Sequence, residues 1–533
     1  MFKKVALSLL ILAFFVGASL GTSVNAESTT LNMPGPLAES TVMSIYAPPF
    51  VNVGNASAEW LFIYDTIIGN NEELIPEHPR LATNWESSED ELEWTVELRE
   101  DVKFHDGEEF TAEDVKATIE LQSHPDLGPG PYVEWSDPFE TLEGYDAYYA
   151  GDADHIEGIE IVDDYNVKFT HTEPNGLFLL GLGITTVMPA HEIENLDPTA
   201  LDREDYFENP IGTGPFKLVE IEEGEYYRFE AFEDYFRGEP KIDEALLQEI
   251  DPSLAVADEI ADYYATFTLD VIHEAEEAAP YYNIEFTSPL RSQYFRLNIS
   301  EPPFNDIKFR EALLKGIDRE EIIEVFYDGF AEAHDGVLSP GFWHNDELQV
   351  REYDPERAEE LVEESVYEGE TLELLEYYGD EHTEDMMTAI QHMWGEIGVD
   401  VEVRYVDAAT ATEMVWGDLI DDFKGEAIMY AARAYSDPGW MTTYKQDAEM
   451  NYLWWGTDEL DEALEGLITA TEPEQRQEYS YEAQAIMDEH LAPIGLWSPD
   501  MANIANQDLE VPIEPIPGFW YPVDLRLHEW EFN

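Results

Sequence analysis

Residues 94–115 read W-T-V-E-L-R-E-D-V-K-F-H-D-G-E-E-F-T-A-E-D-V, and three local signals lie within them. Trp94, Val96 and Leu98 alternate with polar residues, the period of a half-buried strand. His105, Asp106 and Gly107 supply a turn in which Gly107 is free to take a positive φ. Thr111 then caps a helix, with Asp114 three residues on as its capping-box partner. The stretch predicts a strand, a turn and a helix start, and by itself says nothing of function.

Further motifs flank it on both sides. Upstream stand Leu74-Ile75-Pro76 and the run Pro79-Arg80-Leu81-Ala82-Thr83-Asn84-Trp85. Downstream come Pro210-Ile211-Gly212-Thr213-Gly214-Pro215-Phe216 and then Asp234-Tyr235-Phe236-Arg237-Gly238-Glu239-Pro240-Lys241-Ile242-Asp243. Arg296-Leu297-Asn298, Pro303-Phe304-Asn305-Asp306 and Phe309-Arg310-Glu311-Ala312-Leu313 precede Gly316-Ile317-Asp318-Arg319-Glu320. Tyr353-Asp354-Pro355 opens a helix with Asp as N-cap and Pro at the first helical position. Any one block is a weak signal. Together, in this order, the chain resembles the family 5 extracellular solute-binding proteins, the dipeptide, oligopeptide and nickel receptors of ABC importers.

Composition sets the physical class independently. A chain of 533 residues is long enough for two or three domains with substantial cores. Acidic chains poor in aromatics tend to be disordered, but 29 Tyr, 26 Phe and 13 Trp argue for a packed globular protein. Against 118 acidic residues stand 26 basic ones, a formal charge of −92. Like charge on this scale opposes compaction unless salt screens it, and the Debye length is only about 3 Å at 1 M. The expectation is a halophile-adapted protein that works in molar salt. Nucleic acid, a polyanion that needs basic patches, is excluded as a partner. The run Asp152-Ala153-Asp154-His155-Ile156-Glu157-Gly158 begins like a calcium loop but places Ile156 at a ligand position.

The N-terminus carries an export signal. Lys3 and Lys4 form a basic region, residues 5–16 an apolar one, and Val24-Asn25-Ala26 offers small residues for cleavage, so residues 1–26 read as a signal peptide. The apolar run is too short for a membrane span. Receptors of the resembled family in single-membrane cells are often tethered through a lipidated cysteine, and this chain has no Cys. An untethered receptor stays near its transporter where an outer membrane confines it, so a periplasmic location is expected.

Catalytic constellations are missing from the sequence. There is no H-E-x-x-H, no P-loop and no full G-x-G-x-x-G. The one G-x-S-x-G, Gly17-Ala18-Ser19-Leu20-Gly21, falls in the signal sequence, where no sheet supports a nucleophile. No enzyme activity, no cofactor and no metal site are expected; a secreted hydrolase is the alternative of a different class.

Alternating strands and amphipathic helices indicate α/β lobes. Phe309, Leu313 and Ile317 recur at spacing four, and Asp318 with Glu321 makes a second capping box. The resemblance implies a type II two-lobe periplasmic-binding-protein fold with a hinge and an extra subdomain in the first lobe. Carried over, lobe I holds residues 27–62, 160–288 and 495–533, the inserted subdomain 63–159, and lobe II 289–494. A ligand caught between the lobes shifts the population toward closure, and the closed monomer docks on a membrane permease. Oligopeptide is the first expectation for that ligand, with oligosaccharide and nickel or other metal chelate as alternatives.

One loop departs from the family pattern. Peptide receptors of this type hold the peptide α-ammonium with an Asp four residues before the Pro of a D-x-x-[DE]-P loop. Here residues 431–440 read A-A-R-A-Y-S-D-P-G-W, which places Ala434 at the anchor position. The nickel-receptor version also has Ala there but a Trp two residues earlier, where this chain has Ala432. Ligand-binding candidates come from this loop and nearby. Arg433 can grip a carboxylate or a chelate's acid group bidentately, or stand as a surface residue. Tyr435 and Trp440 can stack on a side chain or sugar ring, or pack. Trp416 is a further candidate, followed by Trp454 and Trp455, with core packing as the alternative for all three. Asp437 reads as a turn former ahead of Pro438.

Overall fold

The computed structural model describes residues 29–34, 60–71, 75–125, 138–198, 209–222, 224–287, 291–407, 410–411, 414, 427–434, 437–448, 451, 455–512 and 525–533. The expected signal segment, residues 1–26, the Gly-Pro cluster at 128–131, most of the tail from 512 to 522, and Trp416, Tyr435 and Trp454 lie outside these residues.

The stretch at 94–115 folds as its pattern implies. Glu93–Leu98 is a strand with Trp94, Val96 and Leu98 inward. Gly107 takes φ +94°, a conformation open to glycine at no steric cost. Ala112–Gln122 is a helix, and the Asp114 carboxylate accepts from the Thr111 backbone N–H at 2.7 Å. The other Asp114 oxygen accepts from Ala190 N at 2.8 Å, tying a second helix start to the first. Burial raises the Asp114 pKa against these hydrogen bonds. Two further helix starts are capped by their Asp, at Asp318 without the reciprocal Glu321 half of a capping box. Asp318 accepts from Glu321 N, and Asp354, with Pro355 behind it, accepts from Arg357 N, each at 3.0 Å.

Four larger sheets carry the architecture. Ala82–Ser87, Glu93–Leu98, Asn166–Thr170 and Ile159–Asp163 form one antiparallel sheet over a core of Phe104, Phe110, Ile119, Phe169 and Phe178. Thr30–Pro34, Glu244–Gln248, Tyr226–Ala231 and Phe216–Glu222 form a second, over Phe62, Phe229 and Trp530. A three-stranded sheet orders Tyr263–Thr266, Met501–Asn506 and Tyr282–Thr287. The largest orders Ala331–Ala333, Ile494–Pro499, Arg291–Leu297, Ala427–Ala434, Leu372–Glu376 and Val401–Tyr405. Its core holds Phe295, Trp394, Tyr430, Trp440 and Trp497.

Several of the family-like motifs converge on one buried node. Asp65 pairs with Arg80 at 2.7 Å and accepts from Tyr235 Oη at 3.2 Å and Thr213 Oγ1 at 3.5 Å. The His105 ring meets the Gly214 carbonyl at 3.0 Å, and its backbone N–H donates to Gly212 O at 2.9 Å. Segments far apart in sequence are thus locked together, and burial holds His105 down to about 4. The conspicuous residues of the signature block are structural.

His334 is a second buried imidazole. Its Nε2 lies 3.1 Å from Ser292 Oγ and 3.0 Å from Ser498 Oγ, and its Nδ1 3.0 Å from Gly336 O. Burial, then the nearby His344 and Arg319, hold it down to about 3 against the ordinary 6.5. Between those values the unfolded chain binds the extra proton and the folded one does not. Stability from this group is therefore complete above 6.5 and falls as pH drops toward 3. At pH 5 the expected loss is about 2 kcal/mol for this residue. Urea titrations of wild type and His334→Gln between pH 7 and 5 check it, since the variant lacks this slope.

Candidate functional site

Two strand pairs cross between sheets at one place. The chain leaves the three-stranded sheet at Thr287 and enters the six-stranded one at Arg291; it returns through Pro499, Asp500 and Met501. The crossing is braced by Phe286 stacked on Phe330 at 4.0 Å, by Asp500 N–H on Phe330 O at 2.8 Å, and by His273 on Asp328 at 2.7 Å.

The same edge of the six-stranded sheet gathers the carboxyl ends of its parallel strands. Leu372–Glu376 runs parallel to both Val401–Tyr405 and Ala427–Ala434; Glu376 and Tyr405 end level with Tyr430, and the strand Ala427–Ala434 runs four residues further, to Ala434 opposite Arg291. In open α/β sheets the crevice outside these carboxyl ends is where ligands bind. A two-stranded hinge at that edge makes it the candidate site.

The loop after Ala434 is fixed from below. Asp437 is buried, accepts from Gly439 N at 2.7 Å to start the 3-10 helix Pro438–Tyr444, and takes both Arg476 guanidinium nitrogens at 2.6 and 2.7 Å. Arg476 also donates Nε–H to Leu467 O at 3.2 Å and lies over the Trp343 ring at 5.3 Å. Bidentate geometry of this kind sets position as well as charge. Asp437 is a turn former here, with the ion pair as an addition the sequence did not announce.

The expected ligand residues fare differently. Trp440 is 1 % exposed and packs edge-on against Tyr444 within the core, the placement of the packed alternative and not of an open stacking platform. Trp455 tilts against His490 at 4.8 Å. Arg433 lies in the strand Ala427–Ala434, opposite Ser292, with its side chain outside the described residues.

Residues not anticipated line the edge instead. Arg291 is half-buried, with its guanidinium 4.9 Å from the Phe267 ring of the other sheet system. Gln293 shares its strand face and is 6 % exposed, with Oε1 buried and unpartnered among the described residues. Tyr377 and Tyr378 stack at 4.5 Å, and Tyr378 meets Tyr430 at 5.7 Å. Burial drives the Tyr378 and Tyr430 hydroxyls well above their ordinary range, with the Arg291 charge opposing it. Glu376, 2 % exposed, accepts from the N–H groups of Tyr378 and Gly379 at 3.0 and 3.2 Å, and burial raises its pKa. The edge is aromatic and phenolic with a cation at its rim.

The side of the first sheet meets that of the six-stranded sheet at residues 175–177. Gly176 donates its N–H to Ile468 O at 2.7 Å, and a Cβ placed on it would lie 2.0 Å from Ala470 O. Gly439 approaches Leu177 in the same way, at 2.6 Å. No group of three or more His, Asp or Glu among the described residues is arranged to hold a metal, and no described helix is long and apolar enough to cross a membrane.

Comparison with known proteins gives a consistent result. Residues 77–463 match the family described as bacterial extracellular solute-binding proteins, family 5 Middle. The glutathione-binding protein GsiB of Salmonella typhimurium is 25% identical over 465 residues, 83% of each chain. The oligopeptide-binding protein AppA of Bacillus subtilis is 24% identical over 510 residues, 90% of this chain and 89% of AppA. The ABC transporter substrate-binding protein CtaP of Listeria monocytogenes superposes with a TM-score of 0.77 at 23% identity, covering 95% of this chain and all of that one.

Proposed function

The chain belongs to the bacterial extracellular solute-binding proteins of family 5, and from that premise we propose that it captures a short peptide between its lobes and delivers it to an ABC permease. The observation that carries the reading is the hinge edge. Two crossings of the chain, at 287–291 and 499–501, set the carboxyl end of the parallel strand Ala427–Ala434, opposite Arg291, beside the facing sheet system. Peptide as the solute is supported by the names of the relatives, which bind glutathione and oligopeptides and align over most of their length. Family members are extracellular or periplasmic; for this chain the proposal is a monomer exported by cleavage after Ala26 and held in a periplasm without a lipid anchor. The lobes are divided as the resemblance implies, with residues 289–494 as lobe II. Arg433, Tyr435 and Trp416 remain proposed ligand contacts, and Trp440 supports the loop that carries them.

Native mass spectrometry of protein purified from its own cells tests the reading. A co-purifying mass that fragments as a peptide is expected; a sugar or metal chelate in its place overturns the peptide assignment.

Closure depends on the tight contact at Gly176. Gly176→Ala places a methyl against the Ala470 carbonyl, and overpacking of this kind costs about 1–3 kcal/mol. If the cost falls on the closed state, ligand affinity drops by about tenfold or more while the unliganded melting temperature changes little. Calorimetric titration beside a thermal melt separates the two effects.

A further inference from the structure

The register of the hinge strand reveals something about the missing amine anchor. Arg291 is the direct cross-strand partner of Ala434, and Gln293 of Ala432, in an antiparallel pair whose register is unbroken from 291 to 297. Directly opposed residues on such a pair share a face, with Cβ atoms about 5 Å apart. At the position where peptide receptors of this family place a carboxylate, this chain therefore has Ala434, in register opposite Arg291.

That guanidinium is unusual for this molecule. With 118 acidic residues for 26 basic ones, a cation readily finds a carboxylate. Arg319 and Arg351 both take Asp335, and Arg476 takes Asp437. Arg291 lies against the Phe267 ring, and among the described residues no carboxylate pairs with it. Three tyrosines, Tyr327 and Tyr430 buried and Tyr378 partly so, lie within reach of its field. Next to it on the same face, the Gln293 amide is more than nine-tenths buried, and its Oε1 has no partner among the described residues. Such an atom costs about 1–3 kcal/mol unless something pairs with it. An amide can turn either its oxygen or its N–H₂ to a ligand, so Arg291 decides the sign.

We propose that the amine subsite is inverted: Arg291 and Gln293 hold an anionic group of the ligand, a carboxylate, at the end of the site where relatives hold an ammonium. The proposal rests on the peptide-receptor reading and narrows it. The preferred peptides have no free α-ammonium at that end and carry an acid there, by acylation of the amine with a diacid. The cation also repels a free amine, so the pair selects by attraction and by rejection. Because the guanidinium is half-buried, molar salt screens it less than a surface charge.

Calorimetric titration in molar salt with three forms of one peptide tests this: trialanine, N-acetyl-trialanine and N-succinyl-trialanine. The succinyl form is expected to bind roughly tenfold tighter than the free-amine form. Arg291→Gln removes that preference, Arg291→Lys keeps most of it, and Ala434→Asp reverses it, all with unchanged circular dichroism and melting temperature. A wild type that prefers the free amine, or an Arg291→Gln protein that keeps the succinyl preference, overturns the inversion. If no peptide form binds, the peptide reading fails, and the anion site is read with succinate alone. Stabilisation by succinate that depends on Arg291 then upholds the site, and its absence ends it.

Discussion

Asp437→Ala is expected to lower stability by about 3–5 kcal/mol, the cost of removing one partner from a buried, fully hydrogen-bonded ion pair. The loss has two sources. Arg476 keeps its charge with both terminal nitrogens stripped of the carboxylate they now hold at 2.6 and 2.7 Å. The 3-10 helix Pro438–Tyr444 also loses the cap on Gly439 N. Adding Arg476→Met removes the stranded charge, so the double variant regains part of the loss, a coupling that two independent sites would not show. Urea denaturation of the two single variants and the double variant measures it. A single-variant cost below about 1 kcal/mol would mean that the pair does not anchor the loop.

The second large effect is ionic. Lowering salt from about 1 M to 0.1 M lengthens the Debye screening distance from about 3 Å to about 10 Å. At a net charge of −92 this lets carboxylates across the whole surface repel one another. A fall in melting temperature on the order of 10 °C or more is expected over that range. The described ion pairs oppose the repulsion only locally: Arg228 alone gathers Glu220, Glu230 and Glu244. Scanning calorimetry across a potassium chloride series checks it, and a midpoint indifferent to salt would refute halophilic adaptation.

What the sequence disclosed was whatever is local. Trp94, Val96 and Leu98 alternate inward because a strand has period two, and Thr111 with Asp114 closes a helix start within four residues. Such signals need no knowledge of the rest of the chain. The Asp65 node could not be read, because Arg80, Thr213 and Tyr235 meet Asp65 only after separate segments pack. Arg291 was invisible for the same reason. Nothing near it in sequence marks it, and its meaning comes from strand register opposite Ala434. Trp440 shows the converse: an aromatic beside a binding loop suggests a stacking surface, yet the ion pair beneath turns that segment into a short helix packed in the core. The resemblance supplied the fold, since its motifs are structural, and for that reason it says less about the ligand.

Binding of a solute between the two lobes stabilises the folded chain. The most direct test is a thermal-shift titration of the mature protein in molar salt with a short-peptide pool that includes amine-blocked acidic members. Ligand binding to the folded state alone raises stability by RT ln(1 + [L]/Kd), about 2.7 kcal/mol at a hundredfold excess over Kd. A saturable rise in melting temperature with the peptides unaltered at the end of the assay is the predicted result. No shift with any solute, or cleavage of the peptides during the titration, would contradict it.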